Sequence, residues 1–498
     1  MNVNPITRLD YPDPDVIRVE DTYYMASTTM HFMPGCEILQ SFDLVHWEHV
    51  TYVYETLDHT DAQQLKSGQN IYGQGMWAAS LRYHEGRFCI CFVANDTRKT
   101  YLYTSEKIDG PWKKQLIEGF YHDGSLLFDE DGRNYIVYGN DEIWITELNE
   151  DLTAPKKDGL HRLLVSDRKN PELGYEGSHI QKINGYYYIF LVHSLRDRWM
   201  RTEACFYSDS LEGEFTGGDV LCDDRGYCGQ GVAQGGIVDT PDGKWYAMLF
   251  QDSGAVGRIP ILLPVTWKDH FPFFGQNGHV PEEIEVHSTR PGYIYQPLVG
   301  SDDFCNGLLP RWQFNHDPDP RYYHLDALQG TYTITTREVC TELTQAVNTL
   351  TQRMSYPSCA AEVTVDASAL KEGDVAGLCA LQSCYAAVGI TKHHGKYEVL
   401  MLDKKEDGIL DMTEGTVVES HQMDFRLEAD FCNMKDEARC YYRVNKGDWL
   451  PIGTVHKLYF KLDHFTGCRF GLFCYAAEET GGSACFRDFK YYDVDEIS

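Results

Sequence analysis

The chain up to about residue 296 repeats one pattern of apolar and polar positions five times. Each copy is a short apolar strand, a tight polar turn and a second apolar or aromatic strand. The copies read DPDVIRVEDTYYMAST from Asp13, WAASLRYHEGRFCICF from Trp77, DGSLLFDEDGRNYIVY from Asp123, EGSHIQKINGYYYIFL from Glu176 and QGGIVDTPDGKWYAML from Gln234. Repeated hairpins of this kind are typical of a β-propeller, whose sheets stand radially around a central channel. The pattern therefore predicts a five-bladed propeller.

The copies also share a register. Four of the turns carry glycine, and nine positions before these glycines lie Trp77, Asp123, Glu176 and Gln234. In the first copy Asp21 takes the place of glycine, and Asp13 lies eight positions before it. Because the inner strands of a propeller run in one direction along the axis, we expect their corresponding ends to converge on one mouth. The alternative is that these are ordinary turn residues, since Asp and Gly favour turns for conformational reasons.

The chain changes character after residue 296. The segment STRPGYIYQPLVGSDDF reads as a linker, and alternating runs such as YTITT, AAEVTV, YEVLML and KLYFKL follow from Asp302 onward. Such alternation predicts an antiparallel sandwich of the jelly-roll or lectin-like type. We therefore expect an all-β chain with a propeller domain at residues 1–296 and a β-sandwich domain at residues 302–498.

Composition and charge narrow the classes of function. A length of 498 residues suggests two or more domains, and an aromatic content of 13% favours strands. The net charge of −31 argues against nucleic acid or an anionic membrane surface as partner, so a neutral substrate is the simpler expectation. The sequence contains neither an apolar run of membrane-spanning length nor the pattern of a signal peptide. We expect a cytoplasmic protein and leave its oligomeric state open, including a homo-oligomer.

Common motifs for other chemistries are missing from the sequence. The 16 cysteines form no CxxC pair, and many lie in apolar runs where a reduced thiol behaves as a small hydrophobe. The sequence also lacks GxxxxGK[ST], HExxH and GxSxG, so phosphate-loop, zincin and hydrolase-elbow interpretations have no local support.

Three carboxylates at one mouth suit the hydrolysis of glycosides. One protonated acid assists the leaving oxygen, an ionised carboxylate activates water or attacks carbon, and a third charge holds the acid protonated. Trp77 offers a flat apolar face for a sugar ring, and Gln234 offers a neutral donor and acceptor pair. Both residue types also have ordinary packing roles.

The blocks NPITRLDYPDPDVIRVEDTYYMASTTMHFMPG, DGSLLFDEDG and EGSHIQKINGYYYIF, together with the C-terminal sandwich, resemble glycoside hydrolase family 43. Within that family the two-domain layout is similar to the β-xylosidase and α-L-arabinofuranosidase group. The resemblance implies a five-bladed propeller followed by a concanavalin A-like (jelly-roll) sandwich, and cleavage with inversion.

The resemblance also implies roles for individual residues. Asp13 would be the general base, Glu176 the general acid, and Asp123 the residue that raises the pKa of the acid and orients it. Arg258 would bind the terminal sugar, and Phe32 would line the sugar pocket. In the E[GA]PH block Ser178 replaces the usual proline.

The resemblance leaves the question of a metal open. Many relatives carry a histidine where this chain has Gln234, and that histidine often belongs to an axial metal or water site. We therefore expect no required cofactor and no metal ligand among the site residues, and leave a calcium ion on the propeller axis open.

The expected function is exo-acting release of terminal β-D-xylose or α-L-arabinofuranose from xylan- or arabinan-type oligosaccharides. In the xylosidase group a loop of the second domain closes one end of the pocket, and HFTGCRF from His464 to Phe470 is the candidate for that loop. Two alternatives remain open. One is a non-catalytic carbohydrate-binding propeller, and the other is an endo-acting arabinanase, which would need an open cleft.

Overall fold

A computed structural model describes residues 2–413 and 415–493 of the protein. Residues 494–498 of the predicted sandwich domain lie outside the described part. The described residues form strands, turns and four short 3₁₀ segments, and no α-helix occurs among them. The 3₁₀ segments are Lys66–Gly68, Gly254–Val256, Leu343–Gln345 and Cys432–Met434. In this part of the chain no helix is long and apolar enough to cross a membrane.

The predicted five-bladed propeller is confirmed. Each blade is a four-stranded antiparallel meander, and its first strand in the chain is the inner one. The strands are, for blade 1, Asp15–Val19, Thr22–Ser27, Gly35–Ser41 and Glu48–Tyr54; for blade 2, Met76–His84, Arg87–Ala94, Lys99–Ser105 and Lys113–Ile117; for blade 3, Ser125–Phe128, Asn134–Asn140, Glu142–Leu148 and His161–Ser166; for blade 4, Glu176–Ile183, Tyr186–Ser194, Arg201–Ser208 and Thr216–Leu221; and for blade 5, Val232–Asp239, Trp245–Asp252, Arg258–Lys268 and Phe271–Phe274.

Apolar residues hold neighbouring blades together. Ile38 of blade 1 packs in one cluster with Leu81 and Ile90 of blade 2, while Phe190 of blade 4 packs with Leu249 of blade 5. Each of these side chains is buried, and burying a side chain of this size contributes about 1.5–3 kcal/mol. Successive side chains of a strand point to opposite faces of its blade, so apolar residues on both faces pack against the two neighbouring blades.

Polar contacts close the ring between its first and last blades. Arg18 of blade 1 forms an ion pair with Asp239 of blade 5, with 2.5 Å between Nη2 and Oδ2. The strand Asn2–Val3 pairs with Glu283–Ile284, and the Asn4 side chain donates to the Leu262 carbonyl at 2.7 Å. The amino-terminal segment is thus held against blade 5.

The second half of the chain forms the predicted concanavalin A-like sandwich. One sheet has nine strands: Phe32–Met33, Gln313–Asn315, Leu350–Arg353, Asp374–Leu381, Ala386–His393, Lys396–Lys404, Leu410–Met412, Thr416–Val418 and Arg469–Ala476. The other has seven: Tyr323–Asp326, Thr331–Thr335, Ser358–Asp366, Gln422–Asp430, Glu437–Val444, Leu450–Lys457 and Ser483–Asp493. Large buried side chains, among them Trp312, Phe425 and Phe470, fill the space between the sheets.

The two domains share a sheet and a buried ion pair. Strand Phe32–Met33, which belongs to the propeller part of the sequence, pairs with Gln313–Asn315 at the end of the nine-stranded sheet. Beside it, Arg353 of the sandwich forms an ion pair with Glu37 of blade 1 at 2.8 Å, and both side chains are buried. The sandwich is therefore attached to the propeller by backbone pairing as well as by side chains.

Candidate active site

One cavity of about 640 Å³ lies where the inner strand heads of the propeller meet the sandwich. All five blades and their connections contribute to its wall, and so does the sandwich. The wall is formed by Asp13, Met30, Trp77, His122, Asp123, Asn140, Leu173, Glu176, Trp199, Arg201, Gln230, Gln234, Asp252, Gly254, Arg258, Met434, Phe460, Lys461, Leu462 and Phe465. A cavity of this size accommodates a small ligand.

The inner strands begin with irregular backbone, which explains how their polar heads reach the cavity. The ladders of blades 2, 4 and 5 shift register at Met76/Ala79, Glu176/His179 and Ala233/Gly236. Such bulges redirect side chains that regular pleating would send to a blade face. Asp13, Asp123 and Gln234 have positive φ values of 53°, 47° and 65°, which are uncommon for residues with a Cβ.

Asp13 is fixed by two donors. The Thr28 hydroxyl donates to Oδ2 at 2.6 Å, and Nη1 of Arg258 donates to Oδ1 at 3.1 Å. Arg258 is itself buried, and its guanidinium lies 4.3 Å from the centre of the Phe465 ring. The carboxylate of Asp13 is therefore held in one orientation by a residue that also touches the sandwich.

Asp123 and Glu176 are neighbours with different surroundings. Asp123 is buried and accepts the Gly177 N–H at 3.0 Å, whereas Glu176 is partly exposed to the cavity and accepts from Asn140 Nδ2 at 2.8 Å. Burial raises the pKa of Asp123 to about 6, with further increases from the charges of Glu176 and Asp13 and an opposing effect of His122. The Asp123 carboxyl therefore keeps its proton to a higher pH than an exposed aspartate does.

His122 lies between these two carboxylates. Its Nε2 atom is 3.6 Å from Asp123 Oδ2 and 3.7 Å from Glu176 Oε2. Burial alone would lower the pKa of His122, but the charges of Asp123, Glu176 and Asp13 outweigh burial and raise the pKa to about 9. The ring is therefore an imidazolium at neutral pH.

Trp77 and Gln234 complete the ring of strand heads. The Trp77 ring lies 5.8 Å from the His122 ring and 5.6 Å from the Phe465 ring, measured between centroids. The Gln234 side chain packs on Gly177, where an added Cβ would come within 2.7 Å of Gln234 Cγ. Glycine at position 177 thus permits the contact between blades 4 and 5 directly beside Glu176.

The structure brings six of the seven predicted site residues into this one wall: Asp13, Trp77, Asp123, Glu176, Gln234 and Arg258. Phe32 is the exception, and its predicted place in the sugar pocket was wrong. It is fully buried in an apolar cluster with Leu343, Tyr385 and other sandwich residues, and the Arg469 guanidinium lies 3.5 Å from the centre of its ring. The position two residues earlier, Met30, lies in the cavity wall instead.

The predicted closing loop, His464–Phe470, contributes one residue to the wall, Phe465. Its neighbour Gly467 donates its N–H to Asp10 Oδ2 at 2.8 Å, and a Cβ there would come within 2.2 Å of the Val256 carbonyl oxygen. In this part of the sandwich, the residues that reach the cavity wall begin at Phe460, before the predicted loop. The sandwich therefore lies directly on the propeller at the edge of the cavity.

Eight polar or aromatic wall residues were not predicted from the sequence: His122, Asn140, Trp199, Arg201, Gln230, Asp252, Phe460 and Lys461. A usable signal existed for three of them. His122 directly precedes Asp123, and Asn140 and Asp252 are the last residues of the second strands of blades 3 and 5. In a hairpin the tail of the second strand lies beside the head of the first, so these two positions also belong at the mouth.

The residues near the propeller axis do not fit a calcium ion. Asp15 accepts the Leu81 N–H and Arg82 Nη1, each at 2.7 Å, and its other oxygen lies 3.8 Å from His179 Nε2. Calcium takes six to eight oxygen ligands, whereas these inner-strand positions offer one carboxylate that is already paired with a guanidinium. Arg82 also donates to the Leu126 carbonyl and to Ser125, so its charge links blades 1, 2 and 3.

Comparison with known proteins agrees with this architecture. Residues 3–272 match the model of glycosyl hydrolases family 43, and residues 301–492 match the model of the β-xylosidase C-terminal concanavalin A-like domain. The chain is 26% identical to a β-xylosidase of Formosa agariphila over 99% of this chain and 89% of that protein. It is 26% identical to a xylosidase/arabinosidase of Humicola insolens over 98% of this chain and 96% of that protein.

A solved structure described as a bifunctional GH43-CE protein of Bacteroides eggerthii superimposes with a TM-score of 0.93 at 42% identity. The match covers 100% of this chain and 64% of that protein, so this chain spans less than two thirds of the larger relative. The family match extends over more than half of the sequence and includes all of the inner strands. The chain belongs to glycosyl hydrolase family 43.

Proposed function

We propose that this protein is an exo-acting, inverting glycosidase that releases terminal β-D-xylose or α-L-arabinofuranose from xylan- or arabinan-type oligosaccharides. The observation that carries the proposal is the grouping of Asp13, Asp123 and Glu176 in the wall of one cavity that the sandwich partly covers. Inverting hydrolysis needs an acid and a base on opposite sides of the glycosidic bond. Three carboxylates around a neutral sugar have no comparable use in simple binding, because desolvating unpaired acids is costly.

Asp13 is the proposed general base. Its two hydrogen bonds, from Thr28 and Arg258, orient the carboxylate within the cavity wall. In a single displacement it removes a proton from water as the water oxygen attacks the anomeric carbon. Arg258, held between Asp13 and Phe465, is the proposed contact for the hydroxyl groups of the terminal sugar.

Glu176 is the proposed general acid, and Asp123 is the residue that adjusts it. Glu176 faces the cavity with 18% of its side chain exposed, whereas Asp123 lies behind it, buried. Glu176 donates its proton to the glycosidic oxygen, which leaves with the electron pair of the broken C–O bond. The charge of Asp123 opposes loss of that proton before the substrate arrives.

The position of the sandwich supports the proposed exo action. Phe460, Leu462 and Phe465 of the second domain form part of the wall above the propeller mouth. A polymer passing through the site would have to displace them, which argues against an endo-acting arabinanase. Trp77, next to Phe465, offers its ring face to a pentose. The names of the relatives include both xylosidase and arabinosidase, and we propose both sugars as substrates.

We propose an oligosaccharide as the ligand and no required metal. Within the described residues, His122, Asp123 and Glu176 form the one group whose possible ligand atoms lie within 4.8 Å of one another. A metal ion there would occupy the acid and displace the proton of a histidine whose pKa is raised to about 9. Hydrolysis through Glu176 therefore requires the group to be free of metal.

The test is hydrolysis of 4-nitrophenyl β-D-xylopyranoside and 4-nitrophenyl α-L-arabinofuranoside by the wild type, Asp13→Asn and Glu176→Gln. We expect the wild type to cleave at least one substrate and Asp13→Asn to lower kcat/KM by about 10²–10⁴-fold. Glu176→Gln should lower kcat/KM by less, because 4-nitrophenolate leaves with little need of a proton. Arg168→Met, at an exposed ion pair with Glu142, serves as a control that should keep wild-type activity. Folded wild-type protein inactive on both substrates would contradict the proposal and favour the binding-module alternative.

A further inference from the structure

His122 has a position that the roles of the three carboxylates do not explain. Its Nε2 atom is buried and has no hydrogen-bond partner among the described residues, although two carboxylate oxygens lie 3.6 and 3.7 Å away. It directly precedes Asp123, so its backbone is fixed by the head of blade 3. The ring is therefore held between Asp123 and Glu176 at a distance that suits a charge interaction more than a hydrogen bond.

The other cations of the cavity wall have their own partners. The pairs are Arg201 with Asp252 at 2.8 Å, Arg258 with Asp13 at 3.1 Å and Lys461 with Glu406 at 3.0 Å. The charge of Arg201 also acts on Glu176 and Asp13, whereas His122 is the positive group that lies between Asp123 and Glu176. Asp13 adds a further negative charge near the ring. Three carboxylates and the neutral ring of Trp77 therefore lie around His122.

We propose that His122 is a positioning residue whose imidazolium stabilises the negative charge that Glu176 acquires during proton donation. This inference rests on the proposed function. As the O–H bond forms on the glycosidic oxygen and the C–O bond breaks, Glu176 changes from a neutral acid to a carboxylate. A fixed positive charge 3.7 Å away lowers the free energy of that developing charge without reorganisation.

The same charge makes Glu176 a stronger acid. The negative charge of Asp123 opposes ionisation of Glu176, whereas the positive charge of His122 favours it. The two charges therefore act on the acid in opposite directions. Without His122, the two adjacent carboxylates would repel each other, and Glu176 would release its proton less readily. A weaker acid donates its proton less readily, and the loss should be largest for leaving groups that need the proton.

The experiment compares wild type, His122→Gln and the control His324→Gln, an exposed residue of the sandwich. Rates are measured across pH for a phenyl and a 2,4-dinitrophenyl glycoside of whichever pentose the wild type cleaves. For His122→Gln we expect the basic limb of kcat/KM to move up by about one unit or more. We also expect kcat for the phenyl glycoside to fall at least tenfold further than kcat for the dinitrophenyl glycoside. The control should match the wild type.

An active His122→Gln variant with an unchanged basic limb and equal losses on both leaving groups would overturn the role of His122 while leaving the proposed function in place. A folded wild type that cleaves neither pentoside would overturn the proposed function and the acid role with it. NMR titration of ¹⁵N-labelled histidine rings provides a readout without activity. The ring of His122 should titrate near 9 in the wild type and lower in Glu176→Gln, and titration near 6.5 in both proteins would contradict the proposal.

Discussion

Individual residues at the mouth adopt backbone conformations that cost free energy. Asp13, Asp123 and Gln234 lie at corresponding positions of three repeats, and all three have positive φ values. Residues with a Cβ enter this region at a cost, and they persist there when the surrounding structure holds them. Here the neighbouring strands supply that support, since Thr28 holds Asp13 and the Gly177 N–H holds Asp123. Function therefore accounts for the cost better than folding does.

Asp123 should reduce stability at neutral pH. Its pKa is raised to about 6, from an ordinary value near 3.9, so the unfolded chain loses this proton more readily than the folded chain. The contribution of Asp123 to the free energy of unfolding is thus highest below about pH 4, decreases as the pH rises toward 6, and stays low above pH 6. The difference of two units corresponds to roughly 3 kcal/mol.

We therefore predict that Asp123→Asn raises the melting temperature by several degrees at pH 7.5 while activity falls. The amide keeps an oxygen to accept the Gly177 N–H and carries no charge. At pH 4.5 the gain should shrink to about 1 kcal/mol or less, because the wild-type carboxyl is then largely protonated. Differential scanning calorimetry at both pH values checks this, and a variant that melts below the wild type at pH 7.5 would be inconsistent with the burial of a charged Asp123.

Single residues show where sequence reasoning was sufficient and where it failed. Asp13, Asp123 and Glu176 could be placed together because they share a register within local hairpins. Phe32 could not be placed, because its burial depends on a strand partner, Gln313–Asn315, that lies about 280 positions further along the chain. His122 adjoins Asp123 in the sequence, but its importance comes from its distances to the side chains of Asp123 and Glu176.

At the scale of elements, the joint between the domains combines the strand pairing of Phe32–Met33 with a buried ion pair. Arg353 contacts Glu37 at 2.8 Å, donates from Nε to the Asp10 carbonyl at 2.8 Å, and lies 4.1 Å from the centre of the Tyr11 ring. Burial would raise the pKa of Glu37, but the charge of Arg353 and the contacts of His49 lower the pKa to about 2. Glu37 therefore remains a buried charge that needs its partner.

We predict that Arg353→Met destabilises the protein by about 3–5 kcal/mol, because it leaves the Glu37 carboxylate buried without compensation. Urea unfolding at pH 7.5 measures the loss. The double variant Glu37→Gln/Arg353→Met should recover part of it, since no buried charge is then left. An exposed pair gives the matched control: Arg168→Met, next to Glu142, should cost less than about 1 kcal/mol. Equal losses at the two sites would show that the Glu37 contact contributes little.

The elements differ in how far the sequence predicts them. The blades form from strands that are adjacent in the chain, so alternation and turn residues were enough to predict them. The sandwich sheets pair distant strands, such as Asp374–Leu381 with Arg469–Ala476, and alternation predicts the strands but not their order. Strand Phe32–Met33 is too short for any pattern to assign it to a sheet.

The whole molecule combines an acidic surface with a cavity in which charges are balanced. The net charge of −31 is spread over the chain, whereas the carboxylates of the wall face His122, Arg201 and Arg258. A neutral sugar can enter such a site without an electrostatic penalty. Because the sandwich forms part of the wall, the complete cavity exists only when both domains are folded against each other.

The most direct test of this account is the configuration of the first product, followed by ¹H NMR during hydrolysis of a β-D-xyloside. With Asp13 as base and Glu176 as acid, the wild type should release α-D-xylose first, and the β anomer should appear later by mutarotation. An α-L-arabinofuranoside should likewise give β-L-arabinofuranose first. Early appearance of β-D-xylose would contradict the account, because Asp13 would then attack the anomeric carbon itself.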